Sequence, residues 1–124
     1  MLVSVIIPTL DRPRLLLRAV DSVVQQTHRD IEIIVVVDRP SPETLAAVQT
    51  VSDSRLRLIV NPYPTTAGGA RNVGADHAAG EWIAFLDDDD EWLPNKLEHQ
   101  LTFAAARPPI LSIRNPAALR GASC

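Results

Sequence analysis

The stretch Ile31-Glu32-Ile33-Ile34-Val35-Val36-Val37 is an almost unbroken apolar run, interrupted only by Glu32. A strand with one wet face alternates apolar and polar residues. A run like this must be covered on both faces, as happens in a parallel sheet flanked by helices. Its shortness and β-branched content favour strand over buried helix.

The rest of the chain supplies the partners such a strand needs. Val3 to Ile7 reads as a second buried strand, stopped by Pro8. Asp11 is the expected N-cap of a helix from Pro13 to about Gln26, with Leu16, Val20, Val23 and Val24 at helical spacing. Ser41-Pro42-Glu43 starts another helix, with Leu45, Val48 and Val51 on one face. Leu56 to Val60 is a strand broken by Asn61-Pro62 and Pro64. Gly68-Gly69 opens a helix over Ala70 to Ala79, Glu81 to Leu86 is a fourth strand, and Pro94 begins a helix carrying Leu97, Leu101 and Ala104. Strand and helix alternate, which predicts an α/β, Rossmann-like, mostly parallel sheet with helices on both faces. Ile110 to Ile113 fits one more strand. No periodicity marks Arg114 to Cys124, so we expect one domain over residues 1–107 and an irregular tail over 108–124.

Four aspartates, Asp87, Asp88, Asp89 and Asp90, follow the apolar run Trp82 to Leu86 directly. Adjacent carboxylates repel unless a cation sits among them. An acidic cluster at a strand's end points to the carboxyl edge of the sheet, where ligands bind in open α/β folds. Hard carboxylate oxygens suit Mg²⁺ or Mn²⁺, especially when a diphosphate completes the shell. The competing reading is a solvated acidic loop that caps the next helix.

Composition narrows the classes. In 124 residues, 46% are hydrophobic, enough for one core. A net charge of -3 and few aromatics argue against nucleic acid as a partner. The single Cys124 forms no internal disulfide and fits a reducing, cytoplasmic setting. The apolar start is too short for a transmembrane span and lacks a signal peptide's basic region. No two of the three histidines share metal-ligand spacing with a cysteine, which argues against zinc. The glycine-rich stretch is not a P-loop, since no Gly-Lys-Ser/Thr follows.

Four segments together resemble the nucleotide-sugar-binding half of family 2 glycosyltransferases, which have the GT-A fold. They are Ser4-Val5-Ile6-Ile7-Pro8-Thr9 with Asp11-Arg12, Ile31 to Asp38, Gly68-Gly69-Ala70-Arg71-Asn72-Val73-Gly74 through Glu81, and Phe85 to Asp90 with Pro94 beyond. The likeness covers about residues 3–104, the front half of a typical member. It implies a nucleotide-diphospho-sugar donor, a divalent ion (Mg or Mn), and an inverting glycosyl transfer.

By resemblance, Pro8, Thr9 and Leu10 line the base pocket. Leu10 stands where many relatives have an aromatic, so stacking is poorer. Asp38 accepts a hydrogen bond from the base, and Arg71 suits a phosphate or a base carbonyl. The aspartates resemble the DXD motif, with Asp89 on the ion and Asp87 and Asp88 on the ribose or the ion's water shell. Asp90 is expected to cap the following turn. Val37 and Arg39 depart from the family's Asp-Asp-Gly pattern; Arg39 crowds this loop or reaches a phosphate. No general base is assignable, since neither Glu91 nor Glu98 matches the family position. The matched region stops short of the acceptor half.

Whatever the reading, an exposed sheet edge or apolar face is a candidate route to an oligomer. Two other readings compete. One is a non-catalytic, truncated nucleotide-binding or interaction remnant on the same scaffold, lacking the acceptor half and the general base. The other is a phosphoryl-transfer receiver domain. That class needs an acid pair after the first strand and a late lysine, whereas this chain has Pro8-Thr9 and only Lys96.

Overall fold

The apolar strand nearest the N-terminus, β1 (Val3–Thr9), is the spine of the molecule. It pairs in parallel with β2 (Ile31–Val37) on one side and β4 (Trp82–Phe85) on the other. A computed structural model describes residues 1–39, 41–61, 67–104 and 112–114 of the chain. Pro62, Pro64, Pro108, Pro109 and the tail beyond Arg114, with Cys124, lie outside the described residues. The sheet runs β3-β2-β1-β4-β5, with β3 (Leu56–Val60) parallel to β2 and β5 (Ser112–Arg114) antiparallel to β4. Helices α1 (Pro13–Val24), α2 (Pro42–Gln49), α3 (Ala67–Asp76) and α4 (Lys96–Ala104) connect and cover it.

The apolar run in β2 is covered on both faces. Ile31, Ile33, Val35 and Val37 pack with Val3, Val5 and Ile7 against Leu16, Val20 and Val23 of α1, Val48 of α2 and Leu97 of α4. Ile34 and Val36 join Ile6 on the opposite face against Ala70 of α3. Each such buried side chain contributes about 1.5–3 kcal/mol relative to exposure. Gly74 sets how closely α3 approaches: a Cβ there would lie 2.5 Å from Ile6 Cγ2.

Three local expectations are corrected. Pro8 lies inside β1 and does not end it. The Ile6 carbonyl accepts from Leu86 N–H on the β4 side, and Pro8, two residues on, faces that same side after β4 has ended at Phe85. A missing N–H costs nothing there. Asp11 is not the cap of α1. It has a positive φ of 49°, and Arg12 takes the cap position without a side-chain capping bond. Asp11 instead accepts from the Ser41 hydroxyl at 3.0 Å. The glycine pair lies within α3, which begins at Ala67 and ends at Asp76.

A buried amide anchors the segment after the aspartates. Gln26 donates to the carbonyls of Leu93 at 2.7 Å and Ser22 at 3.1 Å, and accepts from the Leu97 N–H at 3.1 Å. This ties the start of α4 to the end of α1. Among the described residues, no helix is long and apolar enough to cross a membrane.

Candidate functional site

The order of strands makes a crevice. From β1 the chain moves by α1 to β2 on one side, and later returns by α3 to β4 on the other. Loops leaving the carboxyl ends of β1 and β4 therefore diverge, and ligands bind at such switch points. Here they enclose a cavity of about 370 Å³ lined by Pro8, Thr9, Leu10, Arg12, Asp38, Ala70, Arg71, Asp87, Asp88 and Asp89. That volume is within the range of small-molecule sites.

Two carboxylates in this wall are held inward. Asp38, 8% exposed, accepts from Asn61 Nδ2 at 3.0 Å, while its N–H donates to the Thr9 carbonyl. Asp88, 7% exposed, accepts from the Thr9 hydroxyl at 2.9 Å. Thr9 thus couples the ends of three strands through one residue.

The other aspartates turn outward. Asp90 N–H donates to the Asp87 carbonyl at 3.1 Å and closes a turn. Asp87, Asp89 and Asp90 each offer a carboxylate oxygen, all within 4.8 Å of one another. Oxygens around a small divalent ion with bonds of about 2.1 Å lie at most about 4.2 Å apart. Small rotations of these exposed side chains suffice to close the difference, so the donor set fits Mg²⁺ or Mn²⁺. The Asp90 carboxylate belongs to this cluster, beside its backbone role in the turn.

Two guanidiniums meet the run. Arg71 donates to Asp87 at 2.8 Å, and Arg12 Nη1 lies 3.5 Å from Asp88 and 3.4 Å from Asp89. Four carboxylates against two cations leave an excess of negative charge equal to the charge of one divalent ion.

A second hollow lies next door. It shares Arg71 and Asp87 with the first and is walled by Phe85, Asp90, Trp92 and Lys96. The Lys96 ammonium sits 4.3 Å from the Trp92 ring centroid and donates to Gln100. Burial pulls its pKa down from the ordinary lysine value.

The structure brings every sequence-predicted site residue, from Pro8, Thr9 and Leu10 to Asp38, Arg71, Asp87, Asp88 and Asp89, to this one cavity. Arg39 is exposed and does not line it. Sequence reasoning gave no role to Arg12 or Asn61. Both stand just past a strand end, which was the available signal. Glu91, paired with Arg18, lines the second hollow and not the cavity; Glu98, which accepts from the Thr27 hydroxyl, lines neither.

Known proteins share this architecture. The family model Glycosyl transferase family 2 matches residues 4–117. The chain is 42% identical over 101 residues to the Escherichia coli UDP-Glc:alpha-D-GlcNAc-diphosphoundecaprenol beta-1,3-glucosyltransferase WfgD, covering 82% of this chain and 40% of that protein. S. aureus TarS 1-349 in complex with UDP-GlcNAc superposes with a TM-score of 0.78 at 26% identity, over 86% of this chain and 32% of that one. The mannosyltransferase PcManGT from Pyrobaculum calidifontis, in complex with GDP-Man and Mn2+, gives 0.73 at 26% identity over 86% and 32% of the two chains. The chain thus spans less than half the length of these proteins. With the parallel sheet, the cavity at its switch point and the aspartates in their expected place, the chain belongs to glycosyl transferase family 2.

Proposed function

We propose that this chain is the donor-binding part of a metal-dependent glycosyltransferase that takes a nucleotide-diphospho-sugar. The observation that carries the reading is the convergence of Asp38, Arg71 and Asp87 to Asp89 on one cavity at the sheet's switch point. The family assignment sets the receiver-domain alternative aside.

In this reading Pro8, Thr9 and Leu10 face the base. Asp38, oriented by Asn61, accepts a base N–H; an oriented acceptor gives more discrimination than apolar contact. Arg71 supplies a forked donor to phosphate oxygens. Asp89 holds the divalent ion with Asp87 and Asp90 as neighbours, and Asp88, fixed by Thr9, faces the ribose side. A bound Mg²⁺ or Mn²⁺ supplies Lewis-acid stabilisation of charge on the leaving diphosphate. The hollow past the Arg71–Asp87 pair offers the glycosyl group a way toward an acceptor, and the general base comes from outside the matched region. WfgD's name favours a UDP-hexose donor and a polyprenol-diphosphate-linked acceptor. Cys124 as the lone thiol supports a cytoplasmic setting. Leu58 and Val60, exposed on β3 at the sheet edge, support self-association there, which sedimentation would test.

Titration calorimetry of the chain with UDP, with and without Mn²⁺, tests the core of the proposal. Metal-dependent binding lost in Asp89→Ala supports it. Failure to bind any nucleoside diphosphate under either condition overturns it.

A further inference from the structure

Arg12 sits in the turn between β1 and α1, on the rim of the cavity, with its side chain 51% exposed. Its Nη1 straddles two carboxylates, 3.5 Å from Asp88 Oδ1 and 3.4 Å from Asp89 Oδ2. Both separations exceed the usual N–H···O length of about 2.9 Å. Arg71, by contrast, donates a short hydrogen bond of 2.8 Å to Asp87. Arg12 is therefore held by charge more than by directed bonds. Its carbonyl accepts from the Leu16 N–H at 2.9 Å, so the helix holds its backbone, while the guanidinium, a donor only, makes no bond to the helix start. The Arg12–Asp89 pair, half exposed on both sides, is weak and readily exchanged.

We propose that Arg12 is an exchangeable counterion of the aspartate cluster, which yields Asp89 to a divalent cation and turns its guanidinium to the diphosphate of the bound nucleotide. The proposal rests on the donor-site reading above. Without nucleotide, Arg12 relieves repulsion among the aspartates and competes with the ion. With a diphosphate in the cavity, the same guanidinium has a second anion within reach, one suited to its planar fork. Arg12 then opposes ion binding in the empty site and favours it in the loaded one. Ion and nucleotide each raise the other's affinity, and by linkage the two increments are equal.

The test is calorimetry on the full chain with Mn²⁺ alone, and with UDP at saturating Mn²⁺, for wild type, Arg12→Gln and Arg12→Lys. In Arg12→Gln, Mn²⁺ alone should bind about two- to fivefold tighter, the scale of an exposed ion pair. UDP should bind about tenfold weaker, the scale of one charge-assisted hydrogen bond. Arg12→Lys keeps the charge and loses the fork, so Mn²⁺ binding should stay near wild type while UDP loses part of its affinity. Opposite signs in Arg12→Gln support the proposal. Unchanged or weaker Mn²⁺ binding, or unchanged UDP binding, overturns it and leaves the donor-site reading standing. A wild-type chain that binds neither Mn²⁺ nor UDP overturns both.

Discussion

The two edges of the sheet both carry acid, and they treat it in opposite ways. At the amino edge Glu32 accepts from the Ser4 hydroxyl at 2.6 Å, the Ala79 N–H at 2.6 Å and Arg57 at 2.9 Å. The Ser4 hydroxyl accepts in turn from Gly80 N–H at 2.8 Å. Burial pushes the Glu32 carboxyl up, but these partners together outweigh it and hold its pKa below the ordinary value. At the carboxyl edge Asp87 to Asp90 outnumber the guanidiniums that reach them. One edge has spent its polar groups on the fold. The other keeps unspent charge, which lowers stability and creates affinity for a cation. Substitution should therefore move stability at the first edge and binding at the second.

The largest effect is expected at the carboxyl edge. Asp89→Asn should lower Mn²⁺-dependent UDP affinity about a hundredfold or more, beyond the loss common for outer-shell changes. Its thermal midpoint should hold or rise slightly, because like charges are relieved. A clear drop in midpoint would show that Asp89 supports the fold, and the contrast between edges would fail.

Gly80→Ala probes the amino edge. A Cβ there would lie 2.6 Å from Ser4 Oγ, 2.7 Å from Ser4 N and 2.8 Å from the Leu2 carbonyl. Backbone atoms cannot rotate away, so urea unfolding should show a loss of about 2–3 kcal/mol. UDP affinity of the folded fraction should not change. Glu32→Gln should cost less, about 1 kcal/mol. Its amide oxygen still serves Ser4 and Ala79, while its NH₂ opposes Arg57.

The smallest effect is in acid. Asp53, just before β3, is held down to about 2 by the Arg55 side chain and N–H. A carboxyl lowered on folding stabilises above its unfolded pKa, and that contribution is lost as pH falls through the folded value. Stability from Asp53 should thus be complete above about pH 4 and decline toward pH 2. Glu32 acts in the same direction. Asp53→Asn should flatten the acid unfolding curve over that window. An unchanged curve would remove Asp53 from the amino-edge account.

Much of this organisation was legible in the residues. Leu56 to Val60 was readable as a strand to its last residue, because β-branched residues end there at Asn61-Pro62. The both-faces burial of β2 followed from an apolar run that leaves no polar face. Pro8 was misread because proline's local preference is to stop a strand. Its tolerance depends on β4 being shorter than β1, a fact about a segment more than seventy residues away. Asp11 was misread for a similar reason. Its carboxylate is drawn to Ser41 across the sheet's edge, and no local cap preference records that. Arg12, Asn61 and Gln26 are polar residues whose partners lie far along the chain.

The sequence by itself determined the alternation of strand and helix, the parallel sheet and the position of the aspartates at a strand's end. These follow from periodicity and order, which are local properties of the chain. Tertiary structure decided that Asp88 turns in to Thr9 while Asp87, Asp89 and Asp90 turn out. It also decided that Arg12 reaches across from the first turn to stand among them. Four identical side chains carry no sequence signal that tells one from the next. Only the neighbours brought beside them by strand register give each aspartate its own surroundings.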